Sequence, residues 1–284
     1  MISFYARPEN MEEAVRLQME HSGSQYIAGG TDILVDRYED GERDRKLIDL
    51  SALKGLRRTD PEGLELGALT TFTDILRLKD PGAEFKLLQE TASHIAAVQI
   101  RSRATLGGNI CNGNPSADSL PTLLVLGATA VFRDRDGKKE WPLQRFLQGK
   151  KERRPETLLE KIRVGRLPEG AGAAFIKVGR HSSLSIARLN TCAMLLLDGD
   201  RVREVRISIG AAAPVTRRFH ETEKLLTGRT CCEKLWQEAG EAACEEMEPY
   251  VHGRPSASYK LPVARDLIAE LLAVCYGRCD GGKV

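Results

Sequence analysis

Apolar and polar positions change period several times along the chain, and each period predicts an element. Over residues 8–21, Met11, Ala14, Val15 and Met19 fall on one stripe at helical spacing, Pro8 suits a first turn, and Asn10 with Glu13 resembles a capping box. A short strand is predicted over 25–28. It runs into Gly29, Gly30, Thr31 and Asp32 and then a second helical stretch to about Tyr38. The first glycine loop is therefore expected between a strand end and a helix start, where backbone N–H groups are open to an anion. Residues 46–50 and 64–69 alternate as strands do, and 87–98 read as a helix. Residues 105–115 are too rich in Gly and Asn for a regular element, whereas 120–126 suit a buried helix.

From about Phe175 the character changes. Residues 191–197 and 202–209 are strand-like around an Asp198, Gly199, Asp200 turn, with Val205, Ile207 and Ile209 alternating against Arg206 and Ser208. Two helical stripes follow: Cys232, Leu235, Trp236, Ala239, Ala243 and Met247, then Ala264, Leu267, Ile268, Leu271, Leu272 and Cys275. Both are expected in the core.

At 284 residues the chain is long enough for about two domains. Forty-two Lys and Arg against 40 Asp and Glu give no electrostatic reason to expect a nucleic-acid partner. The first residues lack a basic segment followed by an apolar one, and no apolar run approaches the roughly 18 residues of a membrane span, so no membrane association and a cytoplasmic location are expected. Seven cysteines without a CxxC pair argue against a metal or cluster site within the chain, and Cys275, on its apolar stripe, reads as a small hydrophobe. The basic cluster Lys150, Lys151, Arg153 and Arg154 reads as a solvated loop beside a domain boundary, with a subunit-docking surface as the alternative.

Candidate chemistry concentrates in two glycine segments. The first is Ile27, Ala28, Gly29, Gly30, Thr31, Asp32, Ile33 and Leu34; the second runs from Ala104 to Asp118 and contains Thr105, Gly107, Gly108 and Asn109. Paired glycines let a backbone approach a ligand without a Cβ, and Thr105, Asn109 and Asp118 offer a hydroxyl, an amide and a carboxylate for ribose and phosphate oxygens. Either pair alone is more simply a structural turn. Neither matches GxGxxG, and GxxxxGK[ST], GxSxG and HExxH are missing, which removes support for the usual Rossmann, P-loop, serine hydrolase and zinc protease readings.

These residues resemble the flavin subunits of molybdenum hydroxylases, which include xanthine, nicotinate and carbon monoxide dehydrogenases. The resemblance rests on AGGTD at 28–32, GALTTF at 67–72 and IAAVQIRSRATLGGNICNGNPSAD at 95–118, the NICNGNPSADS portion being most like bacterial xanthine dehydrogenases. Weaker similarity through Phe175, Ile176 and Lys177, through Gly210, Ala211, Ala212, Ala213 and Pro214, and through 256–259 extends it over essentially the whole chain. Ser102 departs from the Asn that many relatives carry after QIR.

The resemblance implies an α+β fold: a two-subdomain FAD-binding region of the PCMH (vanillyl-alcohol-oxidase-like) type over 1–168, with subdomains of about 1–58 and 59–168, and a C-terminal α+β domain of the CO dehydrogenase flavoprotein type over 169–284. It implies that Ala28 to Leu34 and Thr105 to Asn109 surround the pyrophosphate and ribityl chain of FAD, that Asp118 hydrogen-bonds the cofactor, and that Ile95 packs near the isoalloxazine. Leu159 and Lys177 match positions that in relatives lie beside the adenine or flavin; for Lys177 a surface amine at a strand end is the plain alternative. None of the five histidines lies in either loop, so noncovalent FAD is expected, and His94 reads as a helix-surface imidazole. No catalytic side chain is nominated. A separate large subunit would carry molybdopterin and a small one 2Fe–2S clusters, with NAD, oxygen or ferredoxin accepting the electrons. A self-sufficient flavin oxidase and a cofactor-free docking scaffold are the rival readings.

Overall fold

The computed structural model describes residues 2–35, 45–79, 81–149, 157–179 and 186–280. The basic cluster at 150–154 and the far end of the stretch expected to reach Tyr38 lie outside them. In chain order the elements begin β1 (Ile2–Ala6), α1 (Met11–Glu20), β2 (Gln25–Ile27), β3 (Arg45–Asp49), β4 (Thr59–Asp60), β5 (Glu65–Gly67), α2 (Phe72–Leu76) and α3 (Ala83–Ser93). There follow α4 (Val98–Arg101), α5 (Leu106–Asn112), α6 (Ser119–Val125), β6 (Thr129–Asp134), β7 (Gly137–Pro142), α7 (Leu143–Gln148) and β8 (Leu158–Arg163). The rest are β9 (Gly172–Val178), β10 (Leu189–Asp198), β11 (Arg201–Gly210), β12 (Arg217–Arg218), α8 (His220–Leu226), α9 (Glu233–Val251) and α10 (Ala257–Arg278). They pack into two compact units, one drawn from 1–80, 97–112 and 128–164, the other from 81–96, 113–127 and 165–284.

In the first unit a parallel sheet, β1-β3-β2, precedes an antiparallel one, β4-β5-β8-β6-β7. Helix α1 starts where Asn10 Oδ1 accepts the Glu13 N–H at 2.8 Å; Glu13 returns a bond to the Glu9 N–H, one residue earlier than a capping box would, and Pro8 precedes the helix. Its stripe buries Ala14 and Val15 in one cluster with Ile48, Leu50, Leu56, Leu69 and Leu158. In the second sheet Glu65 on β5 takes Lys161 Nζ at 2.7 Å and Arg163 at 3.1 Å on β8, and the lysine, then the guanidinium, hold its carboxyl below the ordinary range.

Three local expectations are corrected. Thr31 to Val35 form turns where a helix was expected: Leu34 N–H reaches Gly30 O at 3.3 Å and Val35 N–H reaches Asp32 O at 2.9 Å, and one such i to i+4 bond does not propagate a helix over the described residues. Conversely, 106–112 do form a helix, α5, despite Gly and Asn. Its start is held from outside, Leu106 N–H donating to Thr70 O and Gly107 N–H to Ala68 O, both at 2.9 Å, while Thr105 Oγ1 accepts the Gly108 N–H at 3.1 Å. Tertiary contacts override propensity here. The helix expected to reach Val98 ends at Ser93, followed by Ala96 at φ +38°.

The second unit is an antiparallel sheet, β12-β11-β10-β9, covered on both faces. Leu189, Ala193, Leu195, Val205 and Ile207 meet the two predicted stripes, carried by α9 and α10, in one core; Cys232 is exposed, just before α9. The alternate residues of β10, Asn190, Cys192 and Met194, are fully buried on the other face, where α3 and α6 pack. Helix α6 is buried along its whole length. No described helix is long and apolar enough to cross a membrane.

Candidate functional site

In the first unit the two glycine segments line one cavity of about 530 Å³, within the roughly 300–1,000 Å³ usual for small-molecule sites. Ala28 comes from the first loop and Gly107 and Gly108 from the second; Leu159 on β8 adds a further predicted residue. Three rings sequence reasoning did not single out complete the wall: Phe132, Trp141 and Phe146, the two phenylalanines with centroids 4.8 Å apart. An ion pair between Asp134 and Lys139 and the exposed thiol of Cys111 also line it.

Each glycine pair divides its labour. A Cβ on Gly29 would stand 1.9 Å from Arg103 O, and one on Gly107 2.6 Å from Ala68 O, so these two glycines let the chain pack against itself. Gly30, at φ +74°, turns the first loop, and Gly108 is exposed. Arg103 Nε donates to Gly29 O at 3.2 Å, tying the first loop to the segment that enters the second. Among the described residues, the N–H groups of Gly30, Thr31, Asp32 and Ile33 donate to no protein acceptor, whereas the first four of α5 are all used, Asn109 N–H reaching Thr105 O at 3.0 Å. The first loop, rather than a helix terminus, thus keeps four successive backbone amides without a protein acceptor among the described residues, a run of the kind that can bind an anion. Asp32 and Leu34 are exposed, Thr31, Ile33 and Asn109 half-buried. Ser102, the departure noted above, donates locally to Gln99 O at 2.8 Å.

The remaining predicted residues belong to the second unit. Lys177 Nζ sits 2.6 Å from Asp118 Oδ2 and 2.9 Å from His94 O, its side chain 10% exposed, so it is no surface amine. Asn190 Nδ2 donates to Asp118 Oδ1 at 2.8 Å. Burial pushes the Asp118 carboxyl above the ordinary range, against the pull of Lys177 and Asn190. Ile95 is buried; His94 is exposed, its ring 5.7 Å from that of Phe175. Asn190 was missed, although a lone amide in an apolar strand run is itself a signal, because a buried polar group needs partners. Cys275 behaves as the hydrophobe expected: burial raises its thiol well above the ordinary value and that of Cys192 to about 12.

Sheets, helices and loops of this arrangement define an α+β cofactor-binding chain. Residues 1–167 match the family model of the FAD binding domain in molybdopterin dehydrogenase and 173–274 that of the CO dehydrogenase flavoprotein C-terminal domain. The chain belongs to this family of FAD-binding subunits and is an oxidoreductase component. It is 27% identical to the xanthine dehydrogenase FAD-binding subunit of Escherichia coli O157:H7, over 96% of this chain and 97% of that one. It is 28% identical to the carbon monoxide dehydrogenase medium chain of Hydrogenophaga pseudoflava, over 97% of each. Among solved structures, carbon monoxide dehydrogenase from Hydrogenophaga pseudoflava superposes with a TM-score of 0.91 at 27% identity, covering 99% of both chains.

Proposed function

We propose that the chain is the electron-transfer subunit of a xanthine dehydrogenase-like molybdenum hydroxylase, receiving electrons from 2Fe–2S clusters of a small subunit and delivering them to NAD, beside a molybdopterin-binding large subunit. The observation that carries the reading is that both glycine loops line one cavity. Flavin, when bound, supplies a centre able to exchange electrons singly or in pairs, which no side chain offers. The chain's own residues bind, orient and shield it. The unused amides of Gly30 to Ile33 suit the pyrophosphate, Gly108 permits close approach, and Thr105, Asn109 and Leu159 flank the dinucleotide. Asp118, held by Lys177, accepts a hydrogen bond from the cofactor, and Ile95 packs near the isoalloxazine. FAD is held noncovalently.

Thiol labelling tests this. Cys111 lines the cavity and Cys232 lies on the exposed approach to α9, so FAD should slow labelling of Cys111 several-fold and leave Cys232 unchanged. Denaturation should release all the flavin. Equal Cys111 labelling with and without bound FAD would remove the cavity from the proposal; steady-state turnover of a small substrate by the isolated chain would favour a self-sufficient oxidase.

A further inference from the structure

The second unit holds a fully buried amide with no evident task in the sheet itself. Asn190 stands on β10 with Lys177 of β9 and Gly210 of β11 as its cross-strand partners, so all three share the face on which Asp118 lies. Its Nδ2 donates to Asp118 Oδ1 at 2.8 Å and more weakly to Ser116 O at 3.3 Å. Both partners are acceptors, so the amide orientation is fixed: reversing it would set Oδ1 against two oxygens. That oxygen is buried without a hydrogen-bond donor among the described residues. It lies over Gly210, where a Cβ would come within 2.0 Å of it, so the glycine opens room for the amide. An apolar side chain would fill the same space without orphaning an oxygen. The amide therefore makes sense only through what its nitrogen holds.

The loop it holds is braced as well. Pro115 O accepts the Ala211 N–H at 2.6 Å and Thr216 Oγ1 at 3.1 Å, and Asn114 Oδ1 accepts Ser116 N–H and Oγ at 3.0 and 2.8 Å. Lys177 grips one carboxylate oxygen of Asp118 and Asn190 the other. A single ion pair would let the carboxylate swing about its last torsion; bonds to both oxygens fix its plane.

We infer that Asn190 is a positioning residue for the flavin: from β10 it sets the plane of the Asp118 carboxylate, a role that rests on the reading of Asp118 as a flavin ligand. The test uses the whole chain as Asn190→Leu, Asp118→Asn, Gly210→Ala and the Asn190→Leu, Asp118→Asn double variant. FAD affinity is read from quenching of flavin fluorescence, alongside the shape of the visible flavin bands and the melting temperature. Asn190→Leu should weaken FAD by about tenfold, the size of one lost hydrogen bond to a charged group, alter the band shape, and add nothing once Asp118 is Asn. Gly210→Ala should reproduce the loss by displacing the amide, and carries the test should Asn190→Leu not fold. Wild-type affinity and bands in Asn190→Leu, with Asp118→Asn impaired, would overturn the positioning role and leave Asp118 its own. A full additional loss in the double variant would also overturn it, marking a strut. Unchanged affinity and bands in Asp118→Asn would overturn the Asp118 reading and the positioning role together.

Discussion

A glycine pair read from sequence promises backbone freedom twice, but in each loop of this chain one glycine lies against a backbone carbonyl of another segment and the other does not. The two kinds should separate on substitution. Gly29→Ala and Gly107→Ala drive a methyl against carbonyl oxygens that cannot turn aside, at 1.9 and 2.6 Å, so each should cost at least about 1–3 kcal/mol, measured by urea unfolding of the flavin-free chain. A Cβ at Gly108 meets only Thr105 Oγ1, at 2.9 Å, so Gly108→Val should cost about 1 kcal/mol, the weight of a disturbed helix cap, while emptying the flavin site. Equal destabilisation by all three, or full flavin retention by Gly108→Val, would contradict this division. The loops were legible because each sets its glycine pair among Thr, Asn or Asp side chains able to bind a ligand. Which member packs was not, because the deciding atom for Gly29 belongs to Arg103, 74 residues away.

Among elements, those with a strong internal period were the legible ones. The stripes of α9 and α10 and the alternation of β11 are properties of consecutive residues, and a single buried face fixes each. Helix α5 was not legible, since Thr70 O and Ala68 O satisfy its first amides, and local sequence does not contain that contact. Nor was the cavity wall on β6 and β7, where Phe132 and Trp141 acquire meaning only once the hairpin sets their rings about 6.0 Å apart. The sheet that carries Leu159 to the cavity is pinned by charge. Glu65 is held below its ordinary value of 4.5 by Lys161 and Arg163, and Glu160, although burial raises it, is held low by Lys138 and Arg133. A carboxylate depressed in the folded state contributes stability that is present above its unfolded pKa and lost as pH falls through the folded one. Glu65→Gln should therefore cost up to about 1 kcal/mol at neutral pH, as suits a partly exposed pair, and progressively less below pH 4.5. Denaturant midpoints across that range check it; a constant difference would mean that packing rather than charge pins β5 to β8.

For the whole molecule, the order of elements in the chain differs from their arrangement in space. The family segments are linear, 1–167 and 173–274, yet the second unit takes 81–96 and 113–127 out of the first segment. Asp118 comes from one family segment and Lys177 and Asn190 from the other, so this hydrogen-bonded cluster exists only where both contribute. The C-terminal sheet depends on the same borrowing. Helix α6 packs on β10 and β11 with Leu120, Leu123, Leu124 and Val125 all buried, and α3 is bonded in through Glu90 to Arg278 at 2.8 Å and Glu84 to the Leu167 N–H at 2.8 Å. Burying four such side chains is worth on the order of 6–12 kcal/mol, comparable to the roughly 5–15 kcal/mol that holds a whole domain folded. A fragment of residues 169–284 should therefore fail to fold alone: it should bind a hydrophobic dye, lack near-ultraviolet dichroism and melt without a cooperative transition, while the intact chain does none of these. A sharp melting transition in the isolated fragment would show that the sheet needs neither helix, and the two oxygens of Asp118 would then be gripped by a platform already formed before its loop arrives.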